Sequence, residues 1–169
     1  MYDATALTKD SYTSTALAYG DKIGNVTVSG SQTVAGKSDN TASAAQILNA
    51  ADEDVTDSYA ISYKNGTLEV TPKTLTITAD SDTKVYDATA LTKDSYTNTA
   101  LADGDKIDSV TVTGSQTVAG TSDNIPSGAA FTNGNGDDVT ESYEVSYTNG
   151  TLEVTKKALT ITADSDTKV

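Results

Sequence analysis

Cysteine, histidine and tryptophan are all missing from the 169 residues, and proline occurs only twice. Without cysteine the chain cannot be held by disulfides, so it must fold on its core alone. Without cysteine and histidine there is no Cys–His or Ser–His–Asp machinery, no switch near neutral pH, and none of the commonest metal ligand. Aromatics are scarce at 6%, and nine of the ten are tyrosine. Hydrophobic residues reach 36%, below the roughly 45–50% of an ordinary globular chain, so the core must be thin and built from Val, Ile, Leu, Ala and Tyr. No run approaches the roughly 18 apolar residues of a membrane helix, and no signal peptide is visible. Basic residues are few, 11 against 24 acidic ones, for a net charge of −13. That sign repels phosphate backbones and anionic lipid, which speaks against nucleic acid and membrane as partners, and it favours solubility.

What the chain does have is repetition. Tyr2 through Thr13 returns unchanged as Tyr86 through Thr97, an offset of 84, and 62 of the 84 aligned positions are identical. Leu75 through Val85 returns as Leu159 through Val169. A period this long means a whole small domain per copy, since solenoid repeats run about 20–50 residues. Thr71-Pro72-Lys73 and Thr155-Lys156-Lys157 punctuate the period, Pro72 being unable to donate to a strand ladder. The expected division is residues 1–73 as a first repeat lacking its own leading strand, 74–157 as a complete second repeat, and 158–169 as the leading strand of a following repeat. Met1 falls inside a repeat, so the chain reads as an excised piece, with any export signal or wall anchor expected outside it.

Alternation of apolar and polar residues dominates. Tyr59, Ile61 and Tyr63 alternate with Ala60, Ser62 and Lys64, and Leu68 and Val70 follow Asn65-Gly66. Asn-Gly is the strongest short signal for a two-residue hairpin, predicting Tyr63 opposite Leu68 and Ile61 opposite Val70. The second copy repeats this around Asn149-Gly150. Further strands are predicted at 74–79, 26–29, 32–35 and 43–48, with a single turn at 54–57. The abundant threonine suits strands, and no segment keeps a helical period. The expected class is all-β: two tandem small β-sandwich (Ig-like) domains of about 84 residues each, joined end to end, with a β-grasp-like α+β repeat as the alternative.

Candidate sites are few, and no catalytic, cofactor-binding or metal-binding set is assigned. Asp52, Glu53, Asp54 and Asp57 correspond to Gly136, Asp137, Asp138 and Glu141 in the other copy, the pattern of solvated loop acids. Asp103-Gly104-Asp105 with Asp108, and Asp80-Ser81-Asp82 with its copy Asp164-Ser165-Asp166, offer oxygen ligands of the kind calcium takes. The first set loses two carboxylates in the first copy (Tyr19, Gly24), and each reads more simply as a solvated turn. Lys9 and Lys93, with Asn40 and Asn124, are repeated in the way a stiffening Lys–Asn isopeptide bond would need. Tyr12, Tyr59 and Tyr63 offer rings for sugar stacking, although Tyr59 and Tyr63 share the side of Ile61 and read as core. Tyr19 has no counterpart in the second copy.

The run Lys84-Val85-Tyr86-Asp87-Ala88-Thr89, with Ser142-Tyr143-Glu144-Val145-Ser146-Tyr147-Thr148-Asn149-Gly150-Thr151-Leu152-Glu153-Val154-Thr155, resembles the MBG/YDG-type repeats of bacterial surface proteins. Those carry K-x-Y-D-G-T near the start and Y-x-I-x-Y-x-x-G-T-L-x-V-T at the end. The likeness spans the whole unit in both copies, with Ala4 and Ala88 standing where those repeats usually have glycine. It implies an extracellular, cell-surface, adhesin-like setting with many copies in series. The expected function is a non-enzymatic spacer or stalk projecting a binding domain, each unit adding roughly 30–40 Å. The alternative is a weak host-glycan or mucin binding module. Expected partners are neighbouring repeats. Residues 159–163 are expected either to complete the first unit of another molecule, head to tail, or, like 75–79, to fold back on the unit before them.

Overall fold

The structure is a computed structural model that describes residues 1–168; residue 169, the end of the segment 158–169, lies outside the described residues. The chain is all-β. In order it forms β1 (Lys22–Ser29), β2 (Gly36–Leu48), β3 (Gly66–Val70), β4 (Lys73–Ala79), β5 (Asp82–Val85), β6 (Tyr96–Asn98), β7 (Lys106–Thr113), β8 (Gly120–Thr132), β9 (Tyr143–Thr148) and β10 (Gly150–Thr155). The single turn expected at 54–57 is a 3-10 turn at Thr56–Ser58, repeated at Thr140–Ser142. No helix among the described residues is long and apolar enough to cross a membrane.

The first copy holds a three-stranded sheet in the order β1-β2-β3, antiparallel throughout. The second copy holds two sheets, β5-β10-β8-β7 and β6-β4-β9. The two sheets of the second copy supply the layered, sandwich-like core. Leu75, Ile77 and Ala79 are buried on β4, and Leu152 and Val154 on β10. In both strands every second residue is buried, the period-two pattern of a sheet with one dry face. Two compact units emerge by proximity. Unit 1 is Met1–Thr74 with Leu101–Lys106 and Phe131–Glu144; unit 2 is Leu75–Ala100, Ile107–Ala130 and, among the described residues, 145–168.

The expected hairpin at Asn65-Gly66 does not form. β3 pairs with β2, Gly66 opposite Asn40, and β10 pairs with β8, Gly150 opposite Asn124, while β9 lies in the other sheet. Neither glycine has a positive φ, so neither serves a type I′ turn. At Gly150 the reason for glycine is space. A Cβ there would meet the carbonyl oxygen of Asp80 and lie 2.6 Å from that of Ala79. The chain changes sheet at Asn149-Gly150 and passes directly over the end of β4.

The strand expected at 32–35 is absent; Gln32 makes an isolated bridge to Leu7. Residues 26–29 and 43–48 lie within β1 and β2, and 74–79 within β4. β4 sits between β6 and β9, so it joins the copy that follows it, and the fold-back reading for 75–79 does not hold. Residues 157–168 form no strand, and Leu159 and Ile161 are 82% and 86% exposed.

Candidate functional site

Two features stand out, both within unit 1. The first is a tyrosine–aspartate cluster in which the start of the first copy meets the second. Tyr2 is pinned by its backbone N–H donating to the Thr71 carbonyl at 2.7 Å, and its side chain is 2% exposed. Its phenol donates to Asp105 Oδ2 at 2.9 Å, and the Tyr143 phenol donates to the same oxygen at 2.7 Å while accepting from the Ala102 N–H. The Tyr2 and Tyr143 rings meet edge to face, centroids 5.6 Å apart, and Phe131 lies 4.6 Å from Tyr143 on a tilted plane. Ser142 Oγ accepts from the Ala35 N–H at 3.0 Å. Burial, then the Asp105 carboxylate, pushes the Tyr2 phenol up to about 12, and burial with Asp105 pushes Tyr143 higher still against the opposing Ala102 N–H. Both phenols therefore stay protonated donors, and the arrangement is a lock rather than a proton relay.

The same lock exists half-built one period away. Tyr59 donates to Asp21 Oδ2 at 2.6 Å and accepts from the Ala18 N–H. Tyr86, the counterpart of Tyr2, is 38% exposed.

The second feature is a groove of about 750 Å³ between residues 11–15 and 59–66 of the first copy, lined among others by Tyr12, Val28, Ile47, Tyr59, Ile61 and Tyr63. The corresponding residues of the second copy, Tyr96–Asn98 and Tyr143–Thr148, are strands β6 and β9 with β4 between them. In the first copy 12–14 and 59–64 carry no strand, because the residue run that would lie between them is not beside them. A buried backbone N–H or carbonyl needs a partner, and in the second copy β4 supplies partners to both β6 and β9.

Several of the acidic candidates are taken up by hydrogen bonds or ion pairs, although Asp105 Oδ1 is buried without a partner among the described residues. Asp105 is taken up by the tyrosines, Asp80 accepts from Ser95 Oγ at 2.5 Å, and Asp82 caps the Thr83 N–H. No group of three potential ligands is placed to hold a metal among the described residues. Asp52 pairs with Lys22, and Glu53 accepts from Asn49. The Thr56 hydroxyl, then Gln46, hold the Asp54 carboxyl down at about 2. The lysine–asparagine pairs do come together, but through the lysine main chain: Asn40 Nδ2 donates to the Lys9 carbonyl and Asn124 Nδ2 to the Lys93 carbonyl, each at 2.8 Å. Tyr12, Tyr59 and Tyr63 share the groove, while Tyr19 stands free in solvent. The phenol of Tyr63 accepts from the Ala45 N–H, as Tyr147 does from Ala129. These tyrosines thus act as strand-edge anchors in both copies.

The Tyr2–Asp105–Tyr143 cluster was not among the sequence candidates. A signal for it exists: Tyr2, Asp21 and Tyr59 all repeat at offset 84, whereas Tyr19, next to Asp21 but for one glycine, changes to Asp103. Neither a protein-family model nor a curated protein sequence matches the chain.

Proposed function

We propose that this chain is a non-enzymatic spacer of a bacterial surface protein, a series of Ig-like sandwich repeats in which each copy is locked to the next. The observation that carries the reading is the shared Asp105 oxygen, which binds a tyrosine of the first copy and one of the second. Such a contact is heterologous: Tyr2 is used on one copy and Asp105 on the next, so the arrangement can be continued without closing. Buried aromatic packing and charge-assisted hydrogen bonds resist bending at a junction better than a bare linker does. The residues of the lock recur with the period. The turn at Ala4 and Ala88, at φ 68° and 67°, is the left-handed geometry for which the glycine of MBG/YDG-type repeats is suited, which adds to the resemblance. The absence of cysteine and histidine removes the commonest nucleophile–base pairs and agrees with a mechanical role.

Small-angle scattering tests the reading. An extended particle of roughly 70 Å, two units of about 30–40 Å each, is the expected result. A compact pair folded back on itself refutes the spacer.

A further inference from the structure

We propose that the groove of the first copy is a strand-acceptor site, and that residues 157–168 of a second copy of this chain fill it. The donor is identified by identity. Residues 159–168 repeat residues 75–84 without a change, and residues 75–79 are what fills the equivalent place in the second copy. There Leu75 and Ile77 are 1% and 0% exposed; the same residues in the donor, Leu159 and Ile161, are 82% and 86% exposed. A segment with strand alternation and two bare aliphatic side chains thus stands beside no sheet, while the first-copy segments that correspond to β6 and β9 have no strand between them.

The acceptor carries the partners that β4 uses. β4 pairs with β6 through Ile77 opposite Asn98, Thr78 opposite Thr97 and Ala79 opposite Tyr96. Thr76 Oγ1 bonds Ser146 Oγ at 2.9 Å, Asn124 Nδ2 donates to the Asp80 carbonyl at 2.9 Å, and the Thr151 N–H donates to Ser81 Oγ at 2.9 Å. The acceptor's Tyr12, Thr13, Ser62, Asn40 and Thr67 are the same residue types at the same period positions, with Ser14 in place of Asn98. Asn124 Nδ2 has two acceptors, the carbonyls of Lys93 and Asp80, whereas Asn40 Nδ2 has only that of Lys9. The Asp164 carbonyl of the donor supplies the second.

A further fit lies outside the groove. A donor seated in this way brings its Tyr86 into the period position that Tyr2 holds against Asp105, facing Asp21 and Tyr59 of the acceptor. The lock left half-built at Tyr59 is then completed, and the join reproduces the junction already present within the chain. Donor and acceptor are different surfaces, so the donor of one copy can fill the acceptor of the next in series.

Gly66 gives a test that leaves the isolated molecule intact. A Cβ at Gly66 meets nothing closer than Asn40 Cβ at 3.6 Å, whereas at Gly150, where the place is filled, it would lie 2.6 Å from the Ala79 carbonyl oxygen. Gly66→Ala therefore blocks the acceptor, and Ile161→Lys, at an exposed position, blocks the donor. Sedimentation velocity on the full chain over a rising concentration series is expected to show multiples of 17.4 kDa. Each variant alone is expected to keep the wild-type β circular dichroism and to weaken association by about tenfold or more. Mixed together, the two variants are expected to form dimers and nothing longer, since only one donor and one acceptor remain live. A wild-type chain that stays monomeric throughout overturns the proposal, as does association that both variants leave unchanged. Protection of residues 159–163 from hydrogen exchange in a strictly monomeric chain also overturns it, since the occupant is then the chain's own segment. Any of these outcomes leaves the spacer reading, which rests on the Tyr2–Asp105 lock, to its own scattering test.

Discussion

Ala44 has φ 49° and its counterpart in the other copy, Gly128, has φ 61°. The position lies in a β1–β2 irregularity, where Asn25 faces Gln46 but Thr27 faces Ser43, so an extra residue must take the left-handed conformation. A Cβ there costs about 1–2 kcal/mol, part of which glycine's greater unfolded entropy offsets. Ala44→Gly is expected to stabilise the chain by about 0.5–1 kcal/mol in urea titration. Ala4 and Ala88 carry the same strain, held in place by an Asp side chain: Thr5 donates its N–H and hydroxyl to Asp3 Oδ1, and Thr89 does the same to Asp87. Tyr2→Phe makes the complementary point at the lock. It keeps the ring packing and deletes one of the two phenol donors to Asp105. A hydrogen bond to a charged acceptor contributes about 1.5–3 kcal/mol, and a loss of that size in urea unfolding is expected. No loss would mean that the Tyr2 phenol adds nothing to the join, leaving it to the ring packing and the Ala35–Ser142 hydrogen bond.

Strand β4 and residues 157–163 make a matched experiment at the level of elements. Ile77 is fully buried and Ile161 is exposed, yet the stretches around them are nearly identical. Ile77→Ala is expected to cost about 2–5 kcal/mol, the range for a buried aliphatic truncated to alanine. Ile161→Ala, measured at concentrations too low for association, is expected to leave stability unchanged. Sequence reading cannot separate these two isoleucines, because burial depends on whether a sheet stands beside the segment. The same limit explains Tyr59–Lys64, which alternates as Tyr143–Thr148 does but lacks the neighbour that makes β9 a strand. The β class, β4, the body of β1 and the short turn near Thr56 were legible, since local alternation and turn chemistry decide them. The partner of β10 was not. Asn149-Gly150 carries the local signature of a hairpin, and only the approach of the Ala79 and Asp80 carbonyls shows that the glycine is there to make room. The lock was hidden for a related reason: Tyr2 and Asp105 are 103 residues apart, and nothing local links them.

At the scale of the whole molecule, the composition sets how stability responds to pH. Asp3, Asp87 and Asp138 are held below the ordinary carboxylate value, by Thr5, by Lys84 with Thr89, and by Thr140, while Asp54 is held down from 3.8 to about 2. For such groups the unfolded chain takes up protons first as pH falls, so their contribution is complete above about pH 4 and is lost towards pH 2. Tyr2 runs the other way, raised from 10.0 to about 12, with Tyr143 also raised. The unfolded phenols ionise first as pH rises, so this contribution is complete below pH 10 and is lost towards pH 12. Between the two edges there is no histidine or cysteine to titrate. Thermal unfolding followed by circular dichroism should therefore give a plateau from about pH 5 to pH 9, with a fall on each side. In Tyr2→Phe the alkaline fall should become shallower while the acid fall keeps its position, because the deleted phenol titrates only at the high edge. An alkaline limb unchanged in that variant would show that Tyr2 does not carry the linkage. The net charge of −13 adds a condition for the measurement. Mutual repulsion within a like-charged chain is screened over about 10 Å at 0.1 M salt, so the plateau should rise with ionic strength while its edges stay where the hydrogen-bonded aspartates and tyrosines put them.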